Sequence, residues 1–480
     1  SDPSDICFVL VPNNKTFSQG GTIWSNIAFD KQNEIVYAVT GNPRPALIGL
    51  TRTGTNKNAN SIVAVDLNNR KILWTHQDVL HDLWDYDVSA PPVITNVGIG
   101  EKIFPGLVVI SKIGNIYLFN RITGESYFDI NYKKVPKSQI KGEFNSSYQV
   151  NLKEPEPLQN LNFSKNDFNE KGILKYSKKI DLNHFSFGEF IPPKLGGEVV
   201  INGLHGGVSF TGFSINPKKH IIFAPVNNIP HKLKLELKTY STIKLKNNSY
   251  DLYMNKCASC HGNYRNGTFE FKPSMSILDN ISDKNTYKPS LVGHSIYNKN
   301  FNELFSSEYI NSLHNNKLIT KEEELLLKEL FKNWDQLINK NSEFFYKYNW
   351  STLLASKKIP ANKPPWGEIV AVDLITGEHL WKKPIGKLDG KLTGTEINGG
   401  LATNSGDILV ATGTYDNLVY FVNQKNGNIL NTFELDSPSS APPIIFKDDI
   451  GEKISVVSGM MNYTGFDQKS ETTIYTFGVE

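Results

Sequence analysis

The chain has 480 residues, 39% of them hydrophobic and 21% charged, with a formal net charge of +3. Such a composition can fill a globular core and is not that of a disordered chain. The balanced charge implies no nucleic-acid or membrane-surface partner, no apolar stretch approaches the ~20 residues of a membrane span, and Ser1 to Asp5 lack the basic and apolar regions of a signal peptide.

Taken in chain order, Cys7 comes first and reads as a buried free thiol, with a disulfide to a segment outside the chain as the alternative. Residues 61–74, Ser-Ile-Val-Ala-Val-Asp-Leu-Asn-Asn-Arg-Lys-Ile-Leu-Trp, read as a β-branched strand, an Asn-bearing turn and a second strand. The same grammar returns at 368–381, and more weakly at 115–125 and 418–428. The Asp or Asn that ends each first strand can cap its turn, and Gly supplies positive φ. The Trp after the turn can pack over the neighbouring repeat. Repeated strand units of this kind predict an all-β chain built as a β-propeller. A β-sandwich is the rival architecture. The closing Thr-Ile-Tyr-Thr-Phe-Gly-Val-Glu reads as a strand able to close a ring.

The densest cluster of chemistry is His81-Asp82-Leu83-Trp84-Asp85-Tyr86-Asp87. In an extended segment Asp85 and Asp87 point to one face, where like charges repel unless a cation lies between them or one is protonated. A polar loop of N-cap aspartates is the plainer reading. The basic run Lys232–Lys246, mixed with Leu and Thr, reads as a solvated loop.

The repeats stop at about 245 and resume at Pro364-Pro365-Trp366-Gly367, which sets boundaries of 1–244, 245–362 and 363–480. Within the middle segment, Ile319–Trp334 shows helical spacing, with Leu325, Leu326, Leu327, Leu330 and Phe331 expected near one face behind an acidic first turn. The same segment holds Cys257-Ala258-Ser259-Cys260-His261. The C-x-x-C-H spacing is the attachment signature of c-type haem: two thiols bond the vinyl groups and His261 supplies an axial nitrogen to iron. A zinc half-site would need a second Cys pair, and a thioredoxin-like motif would need βαβ context. The surroundings resemble class I cytochromes c, with a helix-like Tyr250–Asn255 before the motif and Pro289-Ser290-Leu291-Val292-Gly293 after it. Those modules carry a distal Met before their last helix. Here His314 stands near that place, Met275 is the second candidate, and iron without a protein distal ligand is the third reading. Haem implies an extracytoplasmic, periplasmic location, where cytochrome c matures.

Thr40-Gly41-Asn42-Pro43, the 81–87 cluster followed by Ala90-Pro91-Pro92, Lys112-Ile113-Gly114-Asn115-Ile116-Tyr117, and Pro364-Pro365-Trp366-Gly367 occur in an order that resembles the quinoprotein dehydrogenases, which use pyrroloquinoline quinone (PQQ) to oxidise glucose, quinate, methanol and other alcohols. The resemblance covers roughly residues 20–225 and 363–480. It implies that Trp24 stacks on the flat cofactor and that Asn42 ligates a Ca²⁺-type ion, with Asp85 and Asp87 as further metal-site carboxylates. It implies Asp85 as the general base for the substrate hydroxyl, and Lys112 as the cation that hydrogen-bonds the quinone oxygens. Lys at 112 leans to the sugar or polyol branch. Asp87 matches a carboxylate of lanthanide-using enzymes and also of the sugar branch, so it leaves the metal open. Many relatives carry Asn-Trp where this chain has Ser209-Phe210, which puts a cofactor contact in doubt; Asn398 is a weaker contact candidate. The loop Gly459-Met460-Met461-Asn462-Tyr463 is expected to border the substrate cavity.

The family propeller has eight blades, and at ~45 residues per blade this chain suffices for about half to five-eighths of one. The expectation is therefore a fragment, or a subunit completed by another chain. The functional expectation is oxidation of a sugar, polyol or alcohol, with electrons passing through the haem to an external cytochrome or quinone acceptor. The alternatives are a non-catalytic propeller and a haem electron carrier.

Overall fold

The computed structural model describes residues 8–10, 19–50, 52–208, 210–241, 248–257, 319–337, 342–356, 359–459 and 472–478. The chain folds into two compact units, one formed mainly by 12–235 and 348–480, the other by 2–11 and 236–347.

The larger unit is a run of antiparallel blades. Blade 1 is Ala28–Asp30, Ile35–Val39, Ser61–Asp66 and Lys71–Gln77, hydrogen-bonded in chain order. Blade 2 is Val93–Ile99, Lys102–Ile110 and Ile116–Asn120, with a further bridge from Phe119 to Ser126. Blade 3 is Ser214–Asn216, Ile221–Asn227, Gly367–Asp373 and His379–Pro384. Blade 4 is Gly400–Thr403, Ile408–Thr412, Leu418–Asn423 and Ile429–Glu434, and blade 5 is Ile444–Lys447, Glu452–Ser458 and Thr473–Gly478. The β-propeller expected from the repeats is thus the observed architecture.

Each predicted turn device is present. Asp66 accepts from the N–H groups of Asn68 and Asn69, and Asp373 from those of Ile375 and Thr376. The Trp74 indole donates to the Arg121 carbonyl at 3.1 Å, and Trp381 to that of Gln424 at 2.9 Å. Each indole lies where a Cβ on the next blade's turn glycine, Gly124 or Gly427, would collide with it, so a side chain there would unseat the tryptophan. Alternation along each strand builds the core. Leu107 and Val109 pack on Tyr37 and Val39 of blade 1, while Val108 and Ile110 pack with Ile222 and Ala224 of blade 3.

Asn227 pairs with Gly367, so the whole 228–366 segment connects two neighbouring strands of one blade. It leaves along Pro230–Ser241 and returns along Ser342–Thr352. The smaller unit contains two described helices, Asn248–Lys256 and Lys321–Leu337, tied by a Lys256–Glu323 ion pair at 2.7 Å. Thr320 caps the second helix by accepting from the Glu323 N–H, and Glu323 accepts in return from the Thr320 N–H. The expected leucine face is corrected here. Leu327 and Leu330 are buried, but Leu325 and Leu326 are exposed, because three consecutive residues spread over most of a helical turn. Among the described residues no helix is long and apolar enough to cross a membrane.

Candidate active site

In an antiparallel four-strand blade, the connection between the second and third strands and the connection to the next blade emerge on the same edge. Asn42 sits in the 40–60 connection of blade 1, Asp82 to Asp87 in the 78–92 link between blades 1 and 2, and Lys112 in the 111–115 turn of blade 2. His205 and Phe210 precede blade 3, and Glu396 and Asn398 lie in the 385–399 link between blades 3 and 4. The fold therefore gathers on one edge residues spread over more than three hundred positions.

Asp85 is the centre of the cluster. Its Oδ1 accepts from Asn42 Nδ2 at 2.5 Å, and its Oδ2 accepts from Lys112 Nζ at 3.0 Å. Lys112 Nζ also donates to the Asp85 carbonyl at 2.6 Å. Asp85 has φ of 64°, a left-handed conformation unusual for a residue with a Cβ, and the turn that enforces it is built by Asp82. The buried Asp82 carboxylate accepts from the N–H groups of Trp84 and Tyr86, both at 2.8 Å, and from Asn60 Nδ2 at 3.0 Å.

Asp87 ties the remaining groups together. Its Oδ1 accepts from the Asn42 N–H and its Oδ2 from the Trp24 indole N–H, both at 3.1 Å. The Trp24 indole is half exposed and lies 6.4 Å, centroid to centroid, from the ring of Phe210. Of the residues implied by the resemblance, Trp24, Asn42, Asp85, Asp87 and Lys112 are therefore one connected constellation. Asn398 is half-buried in the loop that carries Glu396, with its N–H on the Gly413 carbonyl, and it is not part of that hydrogen-bonded set. Cys257 is buried just beyond helix Asn248–Lys256. Cys7, Ser209, Cys260, His261, Met275, the 289–293 segment, His314 and the 460–463 loop lie outside the described residues.

Electrostatics divide the carboxylates. Burial pushes Asp85 up, but the Lys112 ammonium and the Arg44 guanidinium outweigh it and hold the carboxyl below its usual range. Burial and the charge of Asp85 push Asp87 up to about 7, and burial lifts Asp82 to about 6. Burial opposes the charge on Lys112, yet Asp85 and Asp87 keep its pKa above the ordinary lysine value. One ionised carboxylate thus stands between a fixed cation and an amide, with a second carboxyl poised close by. Adjacent buried carboxylates and an amide form a hard-oxygen donor set, and the crowding that raises Asp87 is what a divalent cation relieves. Among the described residues no group of three or more His, Cys, Asp or Glu side chains could by itself hold a metal. The half-exposed indole offers a flat face for an aromatic ligand.

Two residues here had no signal in the sequence. His205 Nδ1 is 3.5 Å from Glu396 Oε1, and the other Glu396 oxygen accepts from the Tyr415 hydroxyl. Burial opposes the Glu396 charge, but His205 and Tyr415 hold its carboxyl below the usual range. The turn that carries His205 is tied to Lys112, whose carbonyl accepts from the Val208 N–H at 3.1 Å, so this pair borders the same site.

Blades whose same-edge loops assemble an indole, an amide, two carboxylates and a lysine define a β-propeller with a charged site on its loop face. The chain belongs to the PQQ family of glucose/ethanol/alcohol dehydrogenase β-propeller domains, whose family model matches residues 10–273 and 298–453. It is 22% identical over 462 residues to quinoprotein glucose dehydrogenase A of Acinetobacter calcoaceticus, covering 91% of this chain and 46% of that protein. It is 20% identical over 470 residues to the quinate/shikimate dehydrogenase (quinone) of Acinetobacter baylyi, covering 94% of this chain and 48% of the relative. The chain thus spans about half the length of the curated relatives it matches. The quinohemoprotein alcohol dehydrogenase of Comamonas testosteroni shares the fold at a TM-score of 0.51 and 16% identity, over 95% of this chain and 48% of that one.

Proposed function

We propose that this chain supplies the catalytic site of a PQQ-dependent dehydrogenase that oxidises a CH–OH group of a sugar, polyol or alcohol. The observation that carries the reading is Asp85, ionised and held between Lys112 Nζ and the Asn42 amide. PQQ, when bound, supplies the hydride acceptor. Asp85 takes the proton of the substrate hydroxyl, as a positioned carboxylate can, and such a group is worth about 100- to 10,000-fold in rate. Lys112 keeps Asp85 deprotonated and has one further N–H donor for an anionic oxygen. Trp24 would carry the cofactor's flat face, held in place by Asp87. Asn42, Asp85 and Asp87 would hold a Ca²⁺-type ion as oxygen ligands. The remaining blades of a family propeller would complete the cofactor and metal shells.

The C-x-x-C-H motif of Cys257, Cys260 and His261 supports a covalent c-type haem, in a chain exported to the periplasm and delivering electrons to an external cytochrome or quinone. His314 is the proposed distal ligand. The test is dye-linked activity of the exported protein with PQQ and Ca²⁺, across sugars, polyols and alcohols, while the haem spectrum is followed. Substrate-dependent haem reduction that is lost in Asp85→Asn is expected. Equal turnover in Asp85→Asn would remove Asp85 from the role of general base, and cofactor uptake without turnover of any alcohol would refute the assignment in favour of an electron-carrying or non-catalytic propeller.

A further inference from the structure

The catalytic reading leaves His205 without a task. It sits on a turn closed by a hydrogen bond from the Gly206 N–H to the Gly203 carbonyl, 3.1 Å. The turn is anchored to the catalytic lysine, because the Val208 N–H donates to the Lys112 carbonyl at 3.1 Å. The His205 side chain is 43% exposed. Trp24 and Phe210, two residues beyond Val208, are exposed to a similar degree. His205 is thus a solvent-facing group on a turn tied to Lys112, at the rim of the Asp85 site.

Its orientation is fixed from two sides. Glu396, largely buried, stands 3.5 Å from Nδ1 and is itself held by the Tyr415 hydroxyl. The rings of Trp350 and the buried His231 lie 5.6 and 5.9 Å from the imidazole centroid. The Ile397 N–H next to Glu396 donates to Asn227 Oδ1 at 2.8 Å, which pins the loop to blade 3. A carboxylate behind Nδ1 places the ring proton there and leaves Nε2 as an acceptor. Burying a carboxylate to aim a surface imidazole is costly, and such support is the mark of a ligand-contacting group.

We propose that His205 is a substrate-recognition residue. Its Nε2 accepts a hydrogen bond from a second hydroxyl of the substrate while Asp85 takes the first, and Glu396 is the positioning residue. The inference rests on the dehydrogenase reading and narrows its substrate class to polyhydroxylated compounds. A monohydric alcohol has only the hydroxyl that Asp85 requires.

The experiment compares glycerol with 1-propanol in the holoprotein and in His205→Ala, Glu396→Gln and Glu396→Asp, each checked for an unchanged thermal midpoint. Losing one such bond raises KM for glycerol about tenfold, with kcat and the 1-propanol constants within about twofold. Glu396→Gln gives a smaller change of the same kind, and Glu396→Asp restores most of it. In parallel, histidine-labelled NMR follows the His205 resonance, assigned by its loss in His205→Ala, as glycerol is added. A shift without turnover of any alcohol sinks the dehydrogenase reading and leaves the recognition role standing. An unmoved His205 resonance, or equal effects on both alcohols, overturns the proposal.

Discussion

Replacing Asp82 with Ala should loosen the turn that presents Asp85. The Asp82 side chain is 1% exposed and accepts three hydrogen bonds, from the N–H groups of Trp84 and Tyr86 and from Asn60 Nδ2. Bonds to a charged acceptor contribute about 1.5–3 kcal/mol each, and the donors left behind are buried. Against this stands the cost of burying the carboxylate, which lifts its pKa from 3.8 to about 6 and corresponds to about 3 kcal/mol at neutral pH. The net loss expected for Asp82→Ala is therefore about 2–6 kcal/mol, and about half of that for Asp82→Asn, which keeps one acceptor oxygen. Hydrogen exchange reads it locally: protection of the Trp84 and Tyr86 amides should fall at least about 30-fold in Asp82→Ala. The pH dependence supplies a second check. The folded pKa is raised above the unfolded one, so between about pH 4 and about pH 6 the folded state binds the extra proton and loses stability as pH rises. The wild-type margin over Asp82→Asn should widen as pH is lowered through that window. Protection within about twofold of wild type in Asp82→Ala, or a margin that narrows on acidification, would refute the account of this turn.

Lys112→Met removes the cation bonded to Asp85 and should cost about 3–5 kcal/mol at neutral pH, with part recovered on acidification, measured by thermal denaturation. His231 is 4% exposed and burial lowers its pKa to about 3. Below about pH 6.5 the unfolded state takes up a proton that the folded state refuses, so stability falls as pH drops, and His231→Gln should flatten the decline of the thermal midpoint between about pH 7 and about pH 5. Calcium should raise the thermal midpoint of the wild type in proportion to the logarithm of its concentration, and this dependence should vanish in Asn42→Ala combined with Asp87→Asn; an equal shift in that variant would remove these residues from the ion site.

What can be read from the sequence is what the chain encodes within a few residues. Asp66 and its turn are three residues apart, and Trp74 completes the same fourteen-residue unit, so composition and spacing predict both the cap and the packing tryptophan. The 81–87 cluster is conspicuous for its charge, but only the structure separates its aspartates: Asp82 builds the turn, Asp85 faces Lys112, and Asp87 holds Trp24 and Asn42. Periodicity fails at Leu325 and Leu326 because a run of three leucines fits more than one face, and the neighbour that selects Leu327 and Leu330 is not written in the run. His205 and Glu396 escape notice for a stronger reason. They are 191 residues apart, they sit in unrelated loops, and neither has a partner of chemical interest nearby in sequence. Their meeting depends on the 228–366 excursion returning so that Gly367 pairs with Asn227, the residue whose side chain then fixes Ile397. Local grammar specifies the blades. Register between strands separated by the excursion specifies the rim of the site.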